Sequence, residues 1–262
     1  DEPLRQDEPA NLPPYKRVDI DKVGSSEERP SDEDYDRYIY LVEILKSVNY
    51  DDTAAYPEMP FLVKDLCTNT VLYLSNLSLI EIAGALNRET DEIEGWLERM
   101  RRGFLQYLWD EEDGLFYSYD MRAGKPIRKR TVSSLLPLST GILAQEDSER
   151  LVAWLNHANF CGDCNCKYPV VPSSGVEEPD FKAITYWRGP VWMNMNWFIL
   201  RGLREYGLPQ KCEEIRCALL ELVEESGFRE YYDPLTGAGH GGEDFSWTAS
   251  LIIDLIMSDD VN

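Results

Sequence analysis

Helical periodicity joined by short connections is the feature that most narrows the fold of this chain. Ile93, Trp96, Leu97, Met100, Phe104 and Leu108 form one apolar stripe after a Thr90 or Asp91 start. The same pattern predicts helices at about 32–49, 60–86, 90–109, 132–144, 147–157, 189–206, 208–226 and 246–258. The second is long and mostly apolar, with a break expected near Cys67, Thr68 and Asn69. About eight helices paired by short links describe an array of α-hairpins, not an alternating βαβ protein. Repeat length is irregular, which disfavours a regular solenoid. Turns at Asp113-Gly114 and Gly124-Lys125 enclose Leu115–Asp120, so a small β-hairpin interrupts the helices. Residues 1–31, rich in proline and charge, read as an extended, irregular lead-in to a single domain spanning 1–262.

Charge limits the partners. The formal net charge is −22, which repels phosphates and so excludes nucleic acid and anionic membrane surfaces. Apolar runs are broken by polar residues, so no transmembrane helix is expected, and the acidic, polar opening is no signal peptide. An anionic ligand would need local positive charge, which draws attention to individual arginines. Cys161, Cys164 and Cys166 lie close together, while Cys67, Cys212 and Cys217 are scattered. The cluster lacks a second ligand pair at metal spacing, so no metal is expected, and reduced thiols in a cytoplasmic protein are the default.

Two motifs carry chemistry. Phe228-Arg-Glu-Tyr-Tyr-Asp-Pro-Leu-Thr-Gly237 sets one carboxylate, Glu230, among aromatics before a turn. Flanking tyrosines can hold such a carboxylate or limit its hydration, and either tunes its pKa. Tyr186-Trp-Arg-Gly-Pro-Val-Trp192 offers aromatic faces for the C–H faces of a sugar. Within it Arg188 can fork onto a carboxylate or a hydroxyl pair, and Gly189-Pro190 opens a helix. Trp192 and Trp197 read as core, whereas Tyr186 and Trp187 read as pocket. Gly237–Gly242 is Gly-rich but lacks the Lys-Ser/Thr of a phosphate-binding loop. Trp247 starts the next helix and fits core or site equally. Arg29 and Tyr35 surround the first helix start. Asp65 and Asn69, at i and i+4, either line a pocket or cap a helix break. No serine or cysteine nucleophile motif occurs, and neither histidine has a partner at metal spacing.

These segments resemble glycoside hydrolase family 63, the inverting α-glycosidases on an (α/α)6 barrel. Tyr186–Trp192, Glu230–Gly237 and Phe245-Ser-Trp-Thr-Ala249 carry the resemblance, supported by Met59–Asp65 with Asn69 and by Arg29–Tyr38. It implies a hydrolase of a small glycoside such as glucosylglycerate or mannosylglycerate, needing no cofactor. α-Glucoside oligosaccharides or trehalose are the alternative substrates. By resemblance Glu230 matches the general base. Tyr186 and Trp187 match sugar contacts, and Arg29 and Tyr35 match residues that hold the glycerate carboxylate. The family's general acid lies in an Asp-Asn-Ser-Pro-Arg-Trp-like string that is absent here. About eight helices also fall short of twelve. The expectation is therefore a barrel incomplete at its N-terminus, completed by an N-terminal fragment or by self-association. A carbohydrate-binding or regulatory remnant without catalysis, or a plain helical interaction protein, are the other readings.

Overall fold

The computed structural model describes residues 12–23, 26–162 and 166–257. Nine α-helices lie among them, mostly where the periodicity places them. They are α1 (Val18–Val23), α2 (Asp32–Ser47), α3 (Asp52–Ala55), α4 (Leu66–Ala85), α5 (Asp91–Gly103), α6 (Gln145–Ala153), α7 (Met193–Glu205), α8 (Pro209–Ser226) and α9 (Ser246–Met257). A capping box starts α2: the Ser31 hydroxyl accepts from Asp34 N–H while the Asp34 carboxylate accepts from Ser31 N–H. α1 is a helical interruption of the lead-in read from sequence as irregular.

The elements depart from the sequence reading in four places. The helix expected from 60 begins at Leu66, because Asp65 is its N-cap and accepts from Thr68 N–H at 2.7 Å. Just before it, β1 (Val63–Lys64) pairs with β4 (Tyr119–Asp120), which pairs with β5 (Lys125–Pro126). A second hairpin joins β2 (Trp109–Asp110) to β3 (Leu115–Phe116), so the single expected hairpin is two. The helix expected over 132–144 is instead two 3-10 turns, Val132–Ser134 and Leu136–Thr140. Pro137 has no N–H to donate to a continuing helix, and Gly141 ends the run with a left-handed φ of 68°. Finally, α5 passes into a π-helical turn, Phe104–Leu108, before β2.

α7 occupies the centre, packed on α8, α9 and the Leu136–Thr140 turn. Gly202 permits this approach, since a Cβ there would stand 2.8 Å from Leu138 and Ser139 backbone atoms. Ile199, Leu200, Leu203, Leu219 and Leu255 are fully buried around it. Asn196 of α7 is also fully buried, and its amide bonds Val171 N, Val171 O and Trp192 O at 2.9–3.1 Å. It therefore ties an irregular loop to the central helix without leaving a polar atom unmet.

α4 is long and apolar enough, by length and composition, to cross a membrane. The sequence reading found no such helix. In this fold α4 lies against α5 and the Leu136–Thr140 turn, burying Leu66, Tyr73, Leu74 and the polar Asn76. Val71, Leu72, Leu79 and Ile82 on it remain exposed.

Candidate active site

Four loops are stitched edge to edge above the helices. Thr131 bridges Ser174, Pro172 bridges Val191, and Val191 bridges Tyr232. β6 (Tyr231–Tyr232) then pairs with β7 (Gly239–His240). Val191 and Tyr232 exchange both backbone hydrogen bonds, at 2.8 and 3.0 Å. This ladder brings the two sequence motifs side by side, although α7 and α8 separate them in the chain.

At one end sits Glu230. Its backbone N–H donates to Gly242 O at 3.0 Å, and Gly242 N–H donates to its Oε2 at 3.1 Å. Arg29 Nη2 stands 3.8 Å from the same oxygen, and both side chains are 13% exposed. Among the described residues no hydrogen bond reaches Glu230 Oε1. The Arg29 guanidinium also lies over the Tyr186 ring, 4.4 Å from its centroid, and its buried Nε has no hydrogen-bond partner among the described residues. The result is a nearly dry carboxylate with one oxygen engaged, beside a cation with donor capacity to spare.

Aromatic rings form the adjoining wall. Trp187 stacks on Trp192 at 4.0 Å with the planes 9° apart, and Trp192 in turn contacts Tyr231 and Tyr186. Trp192 is buried core, as its sequence predicted, while Trp187 is 41% exposed. Burial first, and its hydrogen bond to Glu28 second, hold the Tyr231 phenol protonated far above its ordinary value. Tyr232 is pushed up to about 12, mainly by burial.

Beyond Trp187 opens a cavity of about 420 Å³. Asp65, Lys129, Ser174, Asp180, Trp187 and Arg188 bring its polar and aromatic surface, and Phe61, Val63, Leu66 and Met195 its apolar one. Lys129 and Asp180 form an ion pair. Ser174 Oγ is buried without a hydrogen-bond partner among the described residues. Cys67 also lines the cavity, but burial pushes its thiol up to about 11, so it is no thiolate at neutral pH.

The structure thus divides the residues expected from sequence. Glu230, Arg29 and Tyr186 gather at one end, and Asp65, Trp187 and Arg188 line the cavity. Arg188 also pairs with the buried Asp34 at 2.8 Å, fastening the motif to the start of α2. Gly189 is buried rather than displayed: a Cβ there would stand 2.3 Å from Lys182 O, so this glycine serves a close backbone approach. Asn69 does not line the cavity; its amide donates to Asp65 O at 2.7 Å and so completes the cap. Tyr35 is held in a separate cluster, under the Arg17 guanidinium at 3.6 Å and stacked against Tyr15. Trp247 stands half exposed beside Phe245, outside the cavity lining. Sequence reasoning missed Glu28, His240, Lys129, Ser174 and Asp180. Only the neighbouring Arg29 could have drawn attention to Glu28.

The cysteines correct one expectation. Cys161 and Cys166 are joined in a disulfide rather than reduced, because the left-handed turn at Cys161 (φ 61°) brings their Cα atoms to 5.5 Å. Cys164 lies outside the described residues. Among the described residues no group of three histidine, cysteine or acidic side chains could hold a metal.

The mostly helical fold with its small β-hairpins is that of solved (α/α)6-barrel glycoside hydrolases of family 63. The sequence pattern of the mannosylglycerate hydrolase MGH1-like glycoside hydrolase domain matches residues 3–248, and the chain belongs to that family. It is 41% identical to the mannosylglycerate hydrolase of Thermus thermophilus, over 97% of this chain and 59% of the relative. The glucosylglycerate hydrolase of Mycolicibacterium hassiacum is 32% identical, over 94% of this chain and 56% of its own length. The solved glycoside hydrolase family 63 mannosylglycerate hydrolase from Thermus thermophilus, in complex with Tris and D-glycerate, superposes with a TM-score of 0.90 at 40% identity. That match covers 98% of this chain and 61% of the other. The chain therefore spans about three-fifths of the length of these relatives.

Proposed function

We propose that this chain forms part of an inverting glycoside hydrolase acting on a small sugar–glycerate glycoside, mannosylglycerate or glucosylglycerate. The observation that carries the reading is the Glu230 carboxylate. Its Oε2 is held by Gly242 N–H, and no described residue bonds its Oε1. In this reading Oε1 takes the proton of the attacking water, the general-base role in an inverting mechanism. Arg29, whose Nε is unpartnered, supplies the cation for the glycerate carboxylate against a net charge of −22. The exposed Trp187 ring stacks on the sugar, and the cavity beside it accommodates the rest of the ligand. The names of the relatives support both substrates, and a mannose–glucose difference of one hydroxyl is left to the assay. No Asp-Asn-Ser-Pro-Arg-Trp-like string occurs in the sequence, so the proton donor is assigned to no residue of this chain.

The test is glycerate release from the two glycosides, by the chain itself and by a chimera carrying the unmatched remainder of the Thermus thermophilus relative. Glu230→Gln in the active form should lower kcat by about 10³-fold or more and leave Kd within about threefold. Turnover close to the parent, or a product with retained anomeric configuration by NMR, would remove Glu230 from the base role.

A further inference from the structure

Glu28 is an acid that no sequence motif singles out, yet its side chain contacts Tyr231, His240 and Gly241. Its Oε2 accepts from the Tyr231 hydroxyl at 2.8 Å and from Gly241 N–H at 3.3 Å. Its Oε1 stands 3.8 Å from His240 Nδ1, and the side chain is 15% exposed. Its carbonyl accepts from Tyr186 N–H at 3.2 Å, and the neighbouring Glu27 carbonyl accepts from the Thr185 hydroxyl at 2.7 Å. The 27–29 stretch is thus wedged between the two motifs.

We infer that Glu28 is a positioning residue for Glu230; the inference rests on the general-base reading above. Two successive amides of one loop point at two carboxylates: Gly241 N–H at Glu28 and Gly242 N–H at Glu230. Holding the first fixes the second. Gly241 has a φ of +68°, and a Cβ on it would stand 2.6 Å from Glu230 Oε2, so the loop lies directly on the base. Tyr231 is fully buried and adjacent to Glu230 in the chain, so its bond to Glu28 braces the base from the other side. The carboxylate suits the place because one oxygen can accept from the phenol and the amide together while the other faces His240.

The chain itself can be tested by amide hydrogen exchange. Glu28→Ala should speed exchange across 239–242 about tenfold or more and leave α8 unchanged. Tyr231→Phe, which removes only the hydroxyl that Glu28 accepts, should speed the same segment and guards against a misfolded alanine variant. In the active form, Glu28→Ala should lower kcat about 10²-fold with KM within about threefold, as expected for a displaced base. Glu28→Gln, which keeps an acceptor, should recover about tenfold of that loss. Adding Tyr231→Phe to Glu28→Ala should cost no more than about twofold further, because both act through one bond. Unchanged exchange in both single variants, or a Glu28→Ala kcat within threefold of the parent, overturns the inference. Turnover retained in Glu230→Gln overturns the base assignment instead, and the exchange result reads the loop anchor separately.

Discussion

Around Glu230 the carboxylates of Glu28 and Glu230 engage amides, a phenol and a guanidinium, whereas the neighbouring cavity keeps the buried Ser174 hydroxyl without a partner. Both regions hang on the same ladder of bridges through 131, 174, 172, 191 and 232. The first has little room: Gly241 cannot take a methyl group without meeting Glu230. The second is a hollow of about 420 Å³ with an exposed tryptophan on its wall. The difference fits a division of labour between a preorganised reacting group and an adaptable binding space. Electrostatic preorganisation acts only where donors are already aimed, while binding needs volume and unspent polar atoms.

Replacing Glu230 with glutamine attacks the first region and carries the largest expected effect. Next comes Gly241→Ala. Its Cβ would fall 2.6 Å from Glu230 Oε2 and 2.8 Å from Tyr231 Cε1, at a left-handed φ. On the proposed general-base reading, displacing Glu230 by an ångström should cost about 10²-fold in kcat, measured by glycerate release. Gly103→Ala makes the control, because nothing lies within 4 Å of its Cβ in the helix; stability should hold or rise by about 0.5–1 kcal/mol. A Gly241→Ala enzyme with parental kcat would break the distinction between crowded cluster and open cavity.

Trp187→Ala probes the second region. Losing one stacking face should weaken glycoside binding about tenfold, at ~1–1.5 kcal/mol, in titration calorimetry. Thermal stability should change little, because the ring is 41% exposed. Equal losses of affinity and stability would mean that Trp187 is core and not wall.

The smallest effect is alkaline. Tyr232 titrates at about 12 in the folded chain, raised by burial above the ordinary phenol value of about 10. A folded pKa above the unfolded one contributes stability that is complete below pH of about 10 and is lost as pH rises through about 12. Tyr231 shifts the same way and further. Tyrosinate absorbance at 295 nm should therefore show these two phenols ionising late, at the alkaline end, with stability falling over the same range. The cavity lining contains no tyrosine and adds nothing to this limb.

Much of this molecule was legible in the chain. The α5 stripe and the α2 helix were local patterns and formed where periodicity placed them. The motif 186–192 and Glu230 stood out by residue type, and the Val191–Tyr232 bridge places their segments side by side. The 132–144 segment was not: its apolar residues suit a helix or a buried turn alike, and Pro137 with Gly141 decided for the turn. Asn69, read as pocket lining or helix cap, completes the cap, and Gly189 sits at a close backbone approach. Those roles depend on a neighbour's carbonyl, which spacing does not reveal.

What the sequence determined by itself was therefore the helical array, the acidic surface and the presence of one carboxylate, Glu230, in aromatic company. These follow from side-chain chemistry and from a period of 3.6 residues, both local properties. What only the tertiary structure decided was which groups meet. Glu28 and Tyr231 lie 203 residues apart in the chain and 2.8 Å apart in space. The cavity between Asp65, Ser174 and Trp187 is a space that no single segment contains. Long-range contacts of this kind depend on how the loops stack once the helices have packed, and no local spacing records that.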